Sequence, residues 1–335
     1  MLVNDLTLPV LIDPVRKSGA NELMIVSGYA TSAMAFAHLD SLIRVHRHEL
    51  KVRLIVGMCR QDGISLSNHQ GFLELTSAFP GRFECSYVMR GTPVHAKTYV
   101  WLKSGNPVHA YLGSANYTQT AFGKRQREVM GICDPTLAYN YFNSIAPDTI
   151  YCTHNDVAEL IQIYSEQNLR KAIVQAHDLG QEEAVEQLDE LEVQHSLLGL
   201  ERVTVSLVSQ KTGGTVPERS GLNWGQRPEY NRDPNQAYIS LTAPIYRSDF
   251  FPPRGVHFTV TTDDNRVLIC TRAQDHDKAI HTPQDNSLIG LYFRNRLEVP
   301  SGEMVTLEDL ERYGRTDVDF YKIDDETYFM DFSVP

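Results

Sequence analysis

The pattern of apolar and polar positions changes character partway along this chain. In the first part, short apolar runs take turns with stretches of helical spacing. Glu22 to Gly28 (ELMIVSG) is a compact apolar run that closes in a small polar turn, and it reads as a buried strand. Thr31 to Val45 places Met34, Phe36, Leu39, Leu42 and Ile43 on one helical face. Val52–Val56 reads as a strand, Asn68 to Ser77 as a helix, and Phe83–Val88 as a further strand. Val94 to Leu102 alternates with period two, which puts His95 and Lys97 on one face and turns Ala96 away. Val108–Leu112 and Val129–Cys133 complete the series. Alternating strands and helices predict an α/β sandwich on a mixed, largely parallel sheet, with strand ends as the natural place for a site.

From Asn155 to Glu201 the texture differs. Val157 to Val174 has helical spacing. It is followed by Asp178, Glu182, Glu183, Glu186, Asp189, Glu190, Glu192 and Glu201, with almost no basic partners after Lys171. This reads as a solvated helical linker; the alternative is an acidic lid that competes with DNA for a basic groove. From Val203 onward, runs at Val203–Val208, Ala237–Leu241, His257–Val260, Val267–Cys270 and Leu288–Tyr292 predict strands separated by turns, with a final strand or two in Asp319 to Phe332. The expected organisation is an α/β domain at 1–154, a helical acidic linker at 155–201 and an all-β, barrel-like domain at 202–335.

Composition narrows the class. A chain of 335 residues with 42% hydrophobic content has room for two packed domains. Five scattered cysteines without a CxxC pair suggest reduced thiols, and no apolar run approaches the length of a bilayer span. The start, MLVNDLTLPVLIDPVRKSG, lacks the features of a signal peptide, so a cytoplasmic protein without membrane contact is expected. The formal net charge of −11 argues against indiscriminate nucleic-acid binding, although basic residues gathered on one surface can still grip DNA.

The chemistry concentrates in residues 94–130. His95 and Lys97 are followed by the turn Gly113-Ser114-Ala115-Asn116 and then by Glu128. An imidazole, a fixed cation, a hydroxyl–amide turn and a carboxylate on neighbouring strand ends suit metal-free attack on a phosphodiester. Taken singly, each has a plain structural reading: a core histidine, a paired lysine, a turn, a solvated acid. Ser27, Gly28 and Tyr29 read as a strand-end turn rather than as cleft lining. Lys124, Arg125 and Arg127 are either solvated charge or phosphate contacts. In the second half, two segments are rich in side chains that read bases. One offers Arg219, Asn223, Trp224, Gln226, Arg227, Tyr230, Asn231 and Arg232. The other offers Arg272, Lys278, Gln284, Asn286, Arg294, Asn295 and Arg296. Polar loops on a barrel are their plain reading.

HxK, GSxN and a late Glu at these positions resemble the phospholipase D superfamily in its single-motif nuclease branch. Where the fuller family motif has an Asp, this chain has Leu102, and Glu128 takes its place. That departure favours a resemblance to metal-independent restriction endonucleases of the NgoFVII and BfiI type over lipid-cleaving members. FFPPRGVHFTV (Phe250 to Val260), together with the two polar segments, resembles the recognition domain of the same enzymes, a plant-type B-three pseudobarrel that grips the major groove with two arms. The resemblance implies a phospholipase D-like nuclease domain followed by a DNA-recognition domain, acting on double-stranded DNA as a type II-like restriction endonuclease. No second HxK is present. The resemblance therefore implies a homodimer, with His95 of two subunits meeting, one forming a phosphohistidine and the other serving as general acid and then base. In that scheme Lys97 and Asn116 bind non-bridging oxygens, Ser114 belongs to the site turn, and Glu128 orients a histidine. No metal or other cofactor is implied. GxxxxGK[ST] is absent, so any ATP dependence would come from a separate helicase-like subunit. The alternatives are a nonspecific phosphodiesterase of the same superfamily and a DNA-binding regulator with a vestigial nuclease fold.

Overall fold

A computed structural model describes residues 2–3, 6–123, 126–164, 200–209 and 213–334. The chain divides into two compact units, residues 1–169 and 170–335. Lys124, Arg125, the helical spacing beyond Tyr164 and the acidic residues Asp178 to Glu192 lie outside the described residues.

The first unit carries β1 (Leu2–Val3), β2 (Glu22–Ser27), β3 (Lys51–Val56), β4 (Ile64–Ser65), β5 (Phe83–Val88), β6 (Thr98–Lys103), β7 (Asn106–Gly113), β8 (Met130–Ile132), β9 (Thr149–Tyr151) and β10 (Ile163–Tyr164). Eight of these form one sheet in the order β1-β8-β7-β6-β2-β3-β5-β9. The sheet is mixed, but only β2–β3 and β3–β5 are parallel. The expectation of a largely parallel sheet is corrected for a physical reason. Parallel neighbours need a long crossover, and only these two pairs have one: the helix Ser32–Leu39 with its π-helical extension, and the helices Cys59–Asp62 and Leu66–Ala78. β6 and β7 are instead joined by the two-residue loop Ser104-Gly105, both with positive φ, which makes a tight hairpin.

Local chemistry places the helices. Thr31, Ser65 and Asp134 each cap a helix by accepting a backbone N–H three residues on. Helix Pro135–Ile145 lays Ala138, Phe142 and Ile145 onto Met24, Val26, Val100, Leu102 and Ala110. Leu102 is thus core, at the end of β6 away from the candidate site, where it pairs with Glu22. Beyond residue 154, a helical turn at Val157–Leu160 and β10 continue the same unit. β10 pairs in parallel with β4, and Val157 and Ile161 are buried.

The second unit holds β11 (Arg202–Ser206), β12 (Ile239–Ser240), β13 (His257–Thr262), β14 (Val267–Ala273), β15 (Ala279–His281), β16 (Asp317–Lys322) and β17 (Thr327–Asp331). They form one sheet in the order β11-β16-β17-β13-β14-β15-β12, whose two edge strands approach each other, so the barrel is nearly closed. Its core is aromatic. Phe250, Phe251, Phe258, Phe320 and Tyr328 stack with centroids 4.8–5.6 Å apart. Each such ring contributes roughly 1.5–3 kcal/mol by leaving water. Helices accompany the barrel strands. Leu288–Leu297 is a helix rather than a strand at Leu288–Tyr292, and Leu307–Tyr313 is a second helix, opened by a Thr306–Asp309 capping box.

Candidate active site

Four strand ends meet at one edge of the first sheet. Registers Gly113↔Met130, Leu112↔Thr98 and Thr98↔Val26 bring together the start of β8, the end of β7, the start of β6 and the end of β2. His95 and Lys97 lie just before β6 rather than within a strand. The segment is fixed at both ends. Val94 N–H donates to Gly57 O at 3.0 Å, and Gly113 N–H donates to Lys97 O at 3.1 Å. Position 57 must be glycine for this, because a Cβ there would stand 1.9 Å from the Val94 carbonyl oxygen.

His95 is exposed and Lys97 is 7% exposed. Lys97 Nζ stands 3.2 Å from Nδ1 and 3.0 Å from Nε2 of His95, and donates to the His95 carbonyl at 2.9 Å. A nitrogen nearly equidistant from both ring nitrogens lies over the ring, so it does not block the in-plane lone pair through which an imidazole attacks. Burial lowers the Lys97 pKa from the ordinary lysine value, and the Glu128 carboxylate opposes that shift. The Lys97 amine thus stands beside the imidazole and within electrostatic reach of an acid.

Asn116 is seated by β2. Its Oδ1 accepts from Tyr29 N–H at 3.2 Å and faces Ser27 Oγ at 3.4 Å. A backbone N–H only donates, so the facing atom is the amide oxygen. Ser27 is fully buried. Its Oγ donates to Tyr29 O at 2.5 Å and accepts from Tyr117 N–H at 2.9 Å. Tyr99 Oη holds the Ala115 carbonyl at 2.9 Å from beneath. Ser114 Oγ donates to Glu128 Oε2 and accepts from Val129 N–H at 3.1 Å. His95, Lys97, Ser114, Asn116 and Glu128 are therefore brought to one sheet edge.

Three residues read from sequence as a turn also line the site. A Cβ on Gly28 would come within 3.0 Å of His95 Cδ2. The Tyr29 ring lies against the His95 ring, and Ser27 orients Asn116. The signal was the small-residue ending of the β2 run, which a turn explains equally well. Arg127 is exposed. Among the described residues no group of three or more His, Cys, Asp or Glu is placed to hold a metal ion, and no helix is long and apolar enough to cross a membrane.

The base-reading candidates divide sharply. Arg219, Tyr230 and Asn231 are exposed. Arg219 pairs with Glu229, and Arg227 donates to the Arg219 carbonyl at 2.9 Å. Arg232 stacks over Trp224 at 4.0 Å, and Asn295 is exposed. Gln226 is half-buried and donates to the Pro234 and Gly302 carbonyls at 3.1 and 3.0 Å. Gln284 is half-buried, and Asn286 bonds His281 at 2.7 Å. Four candidates are corrected. Asn223 is fully buried and binds both the carbonyl and the N–H of Val305. Arg294 is fully buried, with the carbonyls of Glu303, Gly290 and Pro234 around its guanidinium. Arg272 donates to the carbonyls of Asp277 and Tyr246. Arg296 pairs with Asp263 at 2.7 Å and bonds Tyr313 Oη at 2.5 Å. These side chains already spend their donors on the protein, so they are structural.

A nuclease-type site on one unit and a separate near-closed barrel define a DNA-cleaving enzyme of two parts. Family comparison agrees. Residues 4–159 match the NgoFVII restriction endonuclease N-terminal phospholipase D domain, and residues 197–324 match the NgoFVII C-terminal B3-like DNA-binding domain. The chain belongs to the NgoFVII restriction endonuclease family. It is a phosphodiesterase, a hydrolase with DNA as its partner. A search of curated proteins returns no match. Among solved structures, NucT from Helicobacter pylori is 17% identical over 45% of this chain and 97% of its own, at a TM-score of 0.30. Nuc, a phospholipase D family member from Salmonella typhimurium, is 13% identical over 39% of this chain and 82% of its own, at 0.29. A polyphosphate kinase from Porphyromonas gingivalis is 12% identical over 42% of this chain and 22% of its own, at 0.26. The family assignment rests on the two domain matches.

Proposed function

We propose that this enzyme cuts DNA at specific sequences without a metal, through a phosphohistidine formed at a site that two copies of the chain complete. The observation that carries this reading is the contact of Lys97 with both ring nitrogens of an exposed His95, beside the Asn116 amide whose Oδ1 is held by Tyr29 N–H. One His95 nitrogen attacks phosphorus and forms a P–N bond while the P–O bond to the leaving sugar breaks. The leaving oxygen takes its proton from the second subunit's imidazolium. That imidazole, now neutral, takes a proton from water. The hydroxide attacks phosphorus and the P–N bond breaks, which returns the first histidine. Lys97 and Asn116 from both copies neutralise the non-bridging oxygens as charge grows, the work a divalent ion does elsewhere.

A second copy is invoked because one chain supplies one HxK set and the chemistry uses two imidazoles. Leu112 and Val129, next in sequence to the site turn and to Glu128, are 51% and 40% exposed, which suits a covering partner. Within one chain Glu128 bonds Ser114 through Oε2. Its Oε1 is the atom that would orient the partner's imidazole and fix its tautomer. The second unit, about 202–335, selects the sequence, and exposed Arg219, Tyr230 and Asn231, with half-buried Arg227 and Arg232, are its leading contacts. The first unit, with 1–154 as its nuclease portion, cuts. A helicase-like ATPase subunit remains part of the proposal as an optional partner.

The test is plasmid DNA incubated with the purified chain in excess EDTA. Discrete fragments are expected, and His95→Ala should give none while still retarding DNA. Cleavage restored only by Mg²⁺, with no ATP-dependent partner present, contradicts metal independence. A smear points to a nonspecific phosphodiesterase, and retarded but uncut DNA points to a regulator.

A further inference from the structure

Beside the proposed nucleophile stands a tyrosine that the chemistry above leaves unused. Tyr29 follows Gly28 at the end of β2. Its ring is 43% exposed and meets the His95 imidazole edge-on, with centroids 6.0 Å apart and planes at 76°. An exposed tyrosine ordinarily samples several rotamers. This one is tethered. Its backbone N–H donates to Asn116 Oδ1, its carbonyl accepts from Ser27, and its phenol donates to Asp62 Oδ2 at 2.5 Å. Asp62 ends the helical turn Cys59–Asp62 that follows β3, so ring and tether come from different strand ends. That turn is itself fixed to the site, because Met58 N–H donates to Gly28 O at 3.1 Å.

The tether has little to do for folding. Both Tyr29 and Asp62 are exposed, and a hydrogen bond between exposed groups adds little net stability. Its effect is on position. The His95 imidazole has Lys97 Nζ over its ring, Gly28 against its Cδ2 edge and Tyr29 at its side. Without Tyr29 the side open to solvent would let the ring swing. The phenol's hydrogen bond to Asp62, with burial and the carboxylate charge, raises its pKa to about 12, so it remains a donor through the working range.

We propose that Tyr29, pinned by Asp62, is a positioning residue that confines the His95 imidazole to the orientation from which it attacks phosphorus. This rests on the reading of His95 as the nucleophile. A misplaced attacking atom loses the benefit of a pre-aligned reaction, at a cost that reaches about 10²-fold for a shift of about 1 Å.

The test uses the full chain and bis(p-nitrophenyl) phosphate, an activated diester whose leaving group needs no protonation and whose binding needs no base recognition. Tyr29→Phe keeps the ring and removes the tether, and should lower kcat about tenfold at unchanged KM, while Tyr29→Ala should approach about 10²-fold. Asp62→Ala should match Tyr29→Phe, and the double variant should be no slower than either single one. Asp62→Asn keeps an acceptor for the phenol and should stay within about twofold of wild type. Thermal midpoints should not separate the variants, which a merely structural tether would not achieve together with the Asn rescue. A rise in KM at unchanged kcat would make Tyr29 a wall that touches substrate and would overturn the proposal. So would full activity in Tyr29→Phe, or an Asp62→Asn as slow as Asp62→Ala. His95→Ala run alongside separates the two levels. Turnover that survives it removes the nucleophile reading and this inference together. Turnover that it abolishes, but that Tyr29→Phe leaves untouched, removes the inference alone.

Discussion

Two imidazoles in the first unit show how placement decides a side chain's use. His95 stands in solvent with a lysine over its ring. His38 is 4% exposed, with Nδ1 2.8 Å from Tyr117 Oη, Nε2 3.3 Å from the Leu11 carbonyl, and its ring edge-on to Trp101. Burial pulls the His38 pKa down to about 4, against the opposing bond to Leu11. His38 serves the site at one remove, because Tyr117 follows Asn116 and its N–H donates to the Ser27 hydroxyl that faces Asn116. The sign of the pH effect is fixed by linkage. The unfolded chain takes up a proton at His38 near pH 6.5 and the folded chain only near 4, so this histidine's contribution is fully present above about 6.5 and is lost as pH falls toward 4. The slope is at most about 1.4 kcal/mol per pH unit. Thermal midpoints from pH 7.5 to 5 should therefore fall in the wild type, and fall less in His38→Gln, even though that variant starts lower. Equal acid sensitivity in the two proteins would assign the effect to other groups.

The fate of Arg294 marks the boundary between what the sequence shows and what needs packing. Taken alone, the run Leu288–Tyr292 predicts a strand, since a five-residue apolar run is ambiguous. Extended to Leu297, it puts Ile289, Tyr292, Phe293 and Leu297 on one helical face, which is the arrangement found. Arg294 then turns inward and closes three carbonyls. Arg294→Ala should lower the thermal midpoint of the second unit, with a loss of several kcal/mol by roughly the measure of a buried donor removed, and should weaken cognate and random DNA binding alike. Sequence discrimination lost in a variant as stable as wild type would return Arg294 to the DNA surface. The candidate set, which the fold brings to one sheet edge, was legible for the opposite reason. His95, Lys97, Asn116 and Glu128 were chosen by chemical type, and the strands whose ends they flank announce themselves by apolar runs. Strand direction was not legible, because an apolar run reads the same in either sense, and only the crossovers at 32–45 and 59–78 make two pairs parallel. Ser27, Gly28 and Tyr29 escaped because a turn and a cleft wall use the same small residues.

The enzyme has two units, one matching a nuclease domain and the other a DNA-binding domain. A net charge of −11 fits a protein that meets DNA through a limited surface rather than through its overall field. Each chain brings one His95, one Lys97 and one Asn116. Whether one set is enough decides between a shared site and a complete site in each chain. The direct measurement is cleavage by mixed dimers, made by co-expressing differently tagged wild-type and His95→Ala chains over a range of ratios and assayed in EDTA at constant total protein. If two His95 side chains form one site, only dimers with two wild-type chains cut, and activity falls as the square of the wild-type fraction, to about a quarter at equal mixing. A linear fall, to about half at equal mixing, would mean that each chain carries a complete site and would contradict the shared mechanism.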